Sequence, residues 1–222
     1  MSQYNIIVST SEATVVSEYE PQSARSDAYQ SEAALEKAFI KMLTEQGYEY
    51  LNISCQTALI ENLRIQLEKL NNIKFSDKEW KQFFENQIAN PNESIVEKTR
   101  KIQEDYIQVL KRDDGSSKNI YLIDKKNIHN NFLQVINQYE EDGGNHETRY
   151  DVTVLVNGLP LVHIELKRRG IALKEAFNQI NRYQRDSFWA GCGLYEYIQV
   201  FVISNGTHTI HTLPKSSLAD NG

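Results

Sequence analysis

Cysteine is nearly absent from this chain: 222 residues hold two, Cys55 and Cys192, and neither belongs to a C-x-x-C pair. A disulfide framework and a zinc knuckle are excluded as organising devices, and a reducing cytoplasm fits best. Long apolar runs are missing too. No segment approaches the roughly 18 unbroken apolar residues of a membrane helix, and the opening MSQYNIIVSTSEATVVSEYE lacks the cationic start and apolar run of an export signal, so a soluble protein with no membrane partner is expected. Only 4 prolines and 10 glycines occur, too few for a low-complexity or fibrous chain. No G-x-x-x-x-G-K-[ST] sequence is present, which removes a P-loop nucleotide site from this segment; the length suits one large domain and is too short for a motor. A positive excess is also lacking: 24 Lys and Arg face 30 Asp and Glu, a net charge of −6. With a pI near 5.5, nucleic-acid binding through bulk charge is disfavoured.

What is present is a folding chain with uneven charge. Hydrophobic residues make up 40% and charged residues 24%, the balance of a globule with enough apolar mass for a core. Residues 1–159 carry 17 cations against 25 anions, whereas residues 160–222 carry 7 against 5. Between 167 and 185, Lys167, Arg168, Arg169, Lys174, Arg182 and Arg185 meet a single acid, Glu175. Such a local basic surface can hold phosphates even inside an acidic protein.

Leu35, Phe39, Met42 and Leu43 recur at helical spacing between Asp27 and Gln46, with Ser31 or Asp27 as cap and Gly47 behind. Three more helical patterns follow at 56–72, at 76–90, which opens with the capping box Ser76-Asp77-Lys78-Glu79, and at 93–103. Together 56–103 reads as a helical insertion. Strands are expected at 120–123 and 132–139, then at 152–156 and 161–167 around an Asn157-Gly158 turn. A helix from about 173 to 187 and a closing hairpin of 197–204 and 208–213 around Asn205-Gly206 complete the pattern. This order describes an α/β domain with a mixed central sheet flanked by helices.

In Leu161-Val162-His163-Ile164-Glu165-Leu166-Lys167, alternation puts His163, Glu165 and Lys167 on one face of a strand and Val162, Ile164 and Leu166 on the other. A carboxylate and an ammonium on a strand that looks buried cost desolvation unless a metal ion and an anionic substrate offset it. Asp151 begins the partner strand. A two-residue turn would set it opposite Ile164, on the wrong face. A three-residue loop, Asn157 to Leu159, or a bulge beside Asp151 sets it opposite Glu165, and Pro160, lacking a backbone donor, favours such an irregularity. Two carboxylates so placed repel, and a divalent cation removes the repulsion. Oxygen ligands select Mg²⁺ rather than zinc, with Mn²⁺ able to substitute. The backbone carbonyl of Leu166 offers a third ligand, and Lys167 then orients or deprotonates the attacking water and steadies the developing charge.

This arrangement resembles the PD-(D/E)xK nuclease superfamily: Asp151, then Glu165-Leu166-Lys167 at the end of the next strand, then a helix. More closely, QSEAALEKAFI, NIYLIDKKN, RYDVTVLVNGLPLVHIELKRRG and AFNQINRYQRDSFW resemble the amino-terminal endonuclease domain of the restriction (R) subunit of type I restriction-modification enzymes, over essentially the whole chain. The resemblance implies a restriction-endonuclease-like core in which Asp151 and Glu165 hold the metal and Lys167 is the catalytic lysine. Gln179 and Tyr183 match the QxxxY motif shared with RecB-type nucleases, and their four-residue spacing puts them on one helix face. There they position DNA, with Arg182, Lys174 and Arg168 nearby. Glu32 or Glu36 matches the place of an extra acidic residue on the first helix. Tyr150 stands where the superfamily's name has proline. The resemblance further implies a longer chain, in which residues 1–222 are a single endonuclease domain followed by an ATP-dependent translocase that binds the ATP, and partner methyltransferase (M) and specificity (S) subunits. The implied activity is Mg²⁺-dependent hydrolysis of double-stranded DNA, with little sequence preference of its own, in cytoplasmic defence against foreign DNA.

Simpler readings compete. Glu165 and Lys167 alone describe a solvated edge-strand pair. Asp124-Lys125-Lys126 has the same spelling after an apolar strand but no matched upstream acid and no basic helix behind it, so it reads as a strand end, with Lys125 or Lys126 still able to touch DNA. Glu32 and Glu36 are i,i+4 neighbours that suit a wet face equally well. His163 reads as a hydrogen-bonded neighbour rather than a ligand. His208 and His211, three apart in a strand, face opposite ways and exclude a joint metal site. Cys192, between Gly191 and Gly193, reads as a loop thiol. Two rival functions remain: a non-catalytic DNA-docking or subunit-interaction module, separated by metal titration, and a RecB-like exonuclease or junction resolvase on the same fold, separated by comparing linear, circular and branched DNA.

Overall fold

Periodicity and caps build the elements. The computed structural model describes residues 4–9, 15–19, 31–141, 148–168 and 193–212. Among them the chain runs β1 (Tyr4–Ser9), β2 (Val15–Tyr19), α1 (Glu32–Glu45), β3 (Glu49–Tyr50), α2 (Gln56–Asn71), α3 (Asp77–Phe83), α4 (Ile95–Gln103), β4 (Ile107–Lys111), β5 (Ser117–Tyr121), β6 (Leu133–Glu141), β7 (Thr148–Val156), β8 (Leu159–Leu166), β9 (Val200–Ser204) and β10 (Thr209–Thr212). A π-helical turn, Phe84–Ile88, continues α3. Ser31 caps α1 by accepting from the Ala34 amide at 3.2 Å. The capping box at α3 forms in both directions, Glu79 N to Ser76 Oγ at 3.1 Å and Ser76 N to Glu79 Oε2 at 2.9 Å. A second box, Ser94 with Glu97, starts α4. Each satisfies amides that the first helical turn leaves open.

Eight strands form one mixed sheet in the order β1-β2-β10-β9-β8-β7-β6-β3, parallel at β8–β9 and β3–β6 and antiparallel elsewhere. Helices cover both faces, as an α/β domain with a mixed sheet requires. On one face, Leu35, Phe39 and Leu43 of α1 pack against Val135, Val152, Val154, Ile164 and Leu166. On the other, Leu59, Leu63 and Leu67 of α2, Trp80 and Phe83 of α3 and Ile102 of α4 close on Ile136, Leu155, Leu161, Phe201 and Ile203. The segment 56–103 thus supplies one helical layer of the larger core. Leu59, Leu63 and Leu67 are completely buried, and truncating any of them to Ala costs about 2–5 kcal/mol.

Several strands differ from expectation. Residues 120–123 do not form a strand as a block. β5 ends at Tyr121 and pairs with β4, outside the main sheet. β4 escapes a sequence reading because only Gln108 and Leu110 alternate inward. β1 and the two-residue β3 are the sheet's two edge strands, with β2 between β1 and β10, and these short strands are not among those expected from sequence. The closing hairpin pairs Thr209 with Ser204, so residues 205–208 form a four-residue loop rather than a two-residue turn. The Asn205 side chain explains it: Oδ1 accepts from the amides of Thr207 at 3.0 Å and His208 at 2.8 Å, an Asx turn. The expected helix at 173–187 lies outside the described residues.

Candidate active site

The site depends on how β7 meets β8. Asn157 and Gly158 have φ of 51° and 83°, positive at both central positions as in a type I′ turn. Val156 pairs with Leu159, so the loop is two residues long. Leu155 pairs with Pro160, but Val154 pairs with Val162, which leaves Leu161 as an extra residue in β8. This bulge adds the one-residue shift that a three-residue loop would have added; the ladder ends with Val152 opposite Ile164, which leaves Asp151 and Glu165 as the next residues on either side. The expectation of a longer loop, or of a bulge beside Asp151, is corrected accordingly: the bulge sits at the turn, next to Pro160, whose missing N–H makes a ladder position cheap to lose there. The turn is held from behind. A Cβ on Gly158 would lie 2.6 Å from the Leu63 Cα of α2, and buried Asn157 donates to Leu122 O at 2.9 Å and accepts from Phe132 N at 2.8 Å.

At the far end of the hairpin, Asp151, Glu165, Leu166 and Lys167 share a cleft of about 430 Å³ with Glu32, Ala33 and Glu36 of α1 and with Gln138 and Arg149. Asp151 Oδ2 accepts from the Leu166 amide at 2.9 Å. Lys167 Nζ donates to Glu165 Oε1 at 2.8 Å, and the Lys167 amide continues the sheet to Ser204 O at 2.8 Å. Glu165 Oε2 is buried without a hydrogen-bond partner; His163 Nε2 stands 3.4 Å away, within ion-pair reach but without hydrogen-bond geometry. His163 differs from the hydrogen-bonded neighbour expected of it, since its ring is fully buried edge-on against Tyr150 with both nitrogens lacking a hydrogen bond.

The electrostatics follow from this crowding. Burial, then the neighbouring Glu165 charge, push the Asp151 carboxyl up to about 6, against the Leu166 amide and Lys167. Burial opposes ionisation of Glu165 as well, but His163 and Lys167 outweigh it and hold that carboxyl below its usual range. Lys167 is likewise opposed by burial, yet Glu165, Asp151 and Glu32 raise it above an ordinary lysine. It is therefore an ammonium at neutral pH.

Among the described residues no three His, Cys, Asp or Glu side chains are gathered closely enough to hold a metal. Two carboxylates remain, and they fit a divalent cation: one has a buried oxygen without a partner, the other is destabilised by its neighbour's charge. The α1 acids are engaged elsewhere. Glu32 Oε1 accepts from the Arg168 amide at 3.1 Å, whereas Glu36 accepts from Asn137 Nδ2 at 2.6 Å and from the Gln138 amide group. Arg168 is exposed at the cleft edge. Gln179, Tyr183, Arg182 and Lys174, and Cys192, lie outside the described residues. Asn137, Gln138 and Arg149 were missed by sequence reasoning. The available signal was Asn137-Gln138 itself, two adjacent polar residues that interrupt an alternating strand.

Comparison with known proteins bears on this geometry. The family model described as "Type I restriction enzyme R protein N terminus" matches residues 29–215. The chain belongs to that family. Within the R-protein N-terminal family, it is 50% identical over 196 residues to the type I restriction enzyme EcoprrI endonuclease subunit of Escherichia coli, covering 88% of this chain and 62% of that protein. It is 41% identical over 186 residues to the type I restriction enzyme SsaAORF53P endonuclease subunit of Staphylococcus saprophyticus, covering 82% of this chain and 19% of the relative. A more distant match, 34% over 90 residues, is the putative type I restriction enzyme MjaVIIIP endonuclease subunit of Methanocaldococcus jannaschii, covering 39% and 8%. The R-protein N-terminal region described here thus spans under two thirds of the E. coli relative and about a fifth of the staphylococcal one.

Proposed function

We propose that this chain is the nuclease domain of a type I restriction enzyme, built on a PD-(D/E)xK core, that hydrolyses phosphodiester bonds of double-stranded DNA. The observation that carries the reading is Glu165: a buried carboxylate beside Asp151, with one oxygen on Lys167 and the other without a hydrogen bond. Asp151, Glu165 and the Leu166 carbonyl would hold Mg²⁺ or Mn²⁺, which when bound neutralises the scissile phosphate and lowers the pKa of water. Lys167, held as an ammonium by Glu165, orients the attacking water and stabilises the charge growing on phosphate, acting as donor rather than base. The Asp151 contact to the Leu166 amide keeps the strand ends aligned. Arg168, Lys174, Arg182, Gln179 and Tyr183 are the residues that would contact or position DNA. In the longer protein this domain serves cytoplasmic defence, with ATP used by a following translocase and target choice made by methyltransferase and specificity partners.

Calorimetric titration with Mg²⁺ and Mn²⁺ tests the reading. Binding by the wild type and its loss in Asp151→Ala are expected; a chain that binds DNA but neither metal is the docking module instead. In the assembled enzyme, Lys167→Ala must lose cleavage, and full retention would refute the mechanism.

A further inference from the structure

Strand β6 breaks its alternation in the middle. Val135 faces the smaller core and Ile136 the larger, yet the next two side chains, Asn137 and Gln138, both reach Glu36 on α1, and Tyr139 returns to the larger core. The break lies at Gln138, whose φ of 53° is left-handed, a conformation uncommon for a residue with a side chain. Strand β7 breaks in step: Tyr150 packs in the larger core and Val152 in the smaller, although they are two residues apart. The breaks face each other. The ladder pairs Asn137 with Val152 and Tyr139 with Tyr150, which sets Gln138 opposite Asp151.

Backbone strain of this kind persists only where surrounding structure overdetermines it. Here Tyr139 and Tyr150 stack on Tyr195 at 4.9 and 4.4 Å, all three buried, and such stacking offsets the strain. Strict alternation would instead carry both tyrosines toward α1 and turn Asp151 away from Glu32, Glu36 and Arg149, onto the face from which His163 and Glu165 project.

We infer that Gln138 is a positioning residue for Asp151. Its left-handed kink sends the tyrosines into the core and leaves Asp151 in the cleft, while its side-chain amide ties the kink to Glu36 on one side and Arg149 on the other. The inference rests on the metal-holding role proposed for Asp151. Glycine takes a positive φ freely and valine resists it, so the two substitutions separate the kink from the amide.

In titrations with Mn²⁺ alone, with thermal melts as the folding control, Gln138→Gly should bind within about threefold of wild type and Gln138→Val at least about tenfold more weakly, the loss typical when support of a ligand is removed. Wild-type affinity in Gln138→Val overturns the inference. So does equal weakening in both, which assigns the effect to the lost amide. Where Gln138→Val does not melt cooperatively, Gln138→Thr replaces it in the same comparison. Asp151→Ala measured alongside keeps the two failures apart: unchanged binding there defeats the metal reading, whereas loss there with Gln138→Val unaffected defeats only the positioning role.

Discussion

Two places in this chain spell an acid followed two residues later by a lysine after an apolar run, Asp124-Lys125-Lys126 and Glu165-Leu166-Lys167. Their surroundings are opposite. Asp124 collects the amides of Lys126 at 3.0 Å and Asn127 at 2.9 Å on one oxygen and Asn130 Nδ2 at 2.8 Å on the other. Those donors, led by the Asn127 amide, hold its carboxyl below the usual range at an exposed turn. Lys125 reaches Gln103 O and lies over the Tyr106 ring. The Asp124 carboxylate closes that turn. At the second place Glu165 is buried, one of its oxygens lacks a hydrogen bond, and Asp151 beside it is pushed up rather than down. A carboxylate whose donors are complete is a structural knot, and one left short of donors in a cleft is a candidate for a ligand.

The largest effect that can break this contrast is catalytic. In the assembled enzyme, Lys167→Ala should lower DNA cleavage about a thousandfold, the scale of a lost transition-state charge contact. Lys126→Ala should leave the rate unchanged, because Asp124 uses that residue's backbone amide. Next comes register. Gly158→Ala places a Cβ against the Leu63 backbone at a positive φ, and a loss of about 2–4 kcal/mol in chemical denaturation is expected. It should be accompanied by loss of metal binding, since Leu161's bulge and Asp151's alignment hang on that turn.

Smaller is the effect of relieving the crowded acid. With Asp151 raised to about 6 in the folded chain from 3.8, the folded state holds the extra proton. The metal-free protein should therefore gain stability as pH falls from 7.5 through 6 and level off below about 4. Asp151→Asn should be more stable than wild type by about 1–3 kcal/mol at pH 7.5 in chelator, with the gap closing by pH 5. A destabilised Asn variant would show that the carboxylate is supported, as Asp124 is. Smallest is Asp124→Asn: its lowered carboxyl contributes stability above its unfolded pKa that is lost as pH falls, so thermal melts should show a slight loss at pH 7 that vanishes in acid.

How much of this was legible in sequence depends on the distance over which each feature is caused. The Glu165–Lys167 face and the α1 stripe are written in local period, two for a strand and near four for a helix, and they emerge as expected except at Met42, which the structure leaves exposed rather than packed with Leu35, Phe39 and Leu43. The capping boxes at Ser76 and Ser94 are equally local. Pro160 signalled an irregularity without saying where it would fall. The kink at Gln138 is set by a stack of Tyr139, Tyr150 and Tyr195, drawn from three segments, and the pair β4–β5 by contacts with α2 such as Tyr121 N to Asn71 Oδ1 at 2.7 Å. Neither is visible in any window of ten residues.

The contact between Glu32 Oε1 and the Arg168 amide joins residues 136 positions apart. Glu36 meets Asn137 across 101. A ribosome making this chain therefore releases α1 long before the hairpin that α1 helps to enclose, and no partial product lacking residues 148–168 contains the cleft. The order of synthesis itself keeps the proposed cleavage centre unassembled until β8 has joined the sheet.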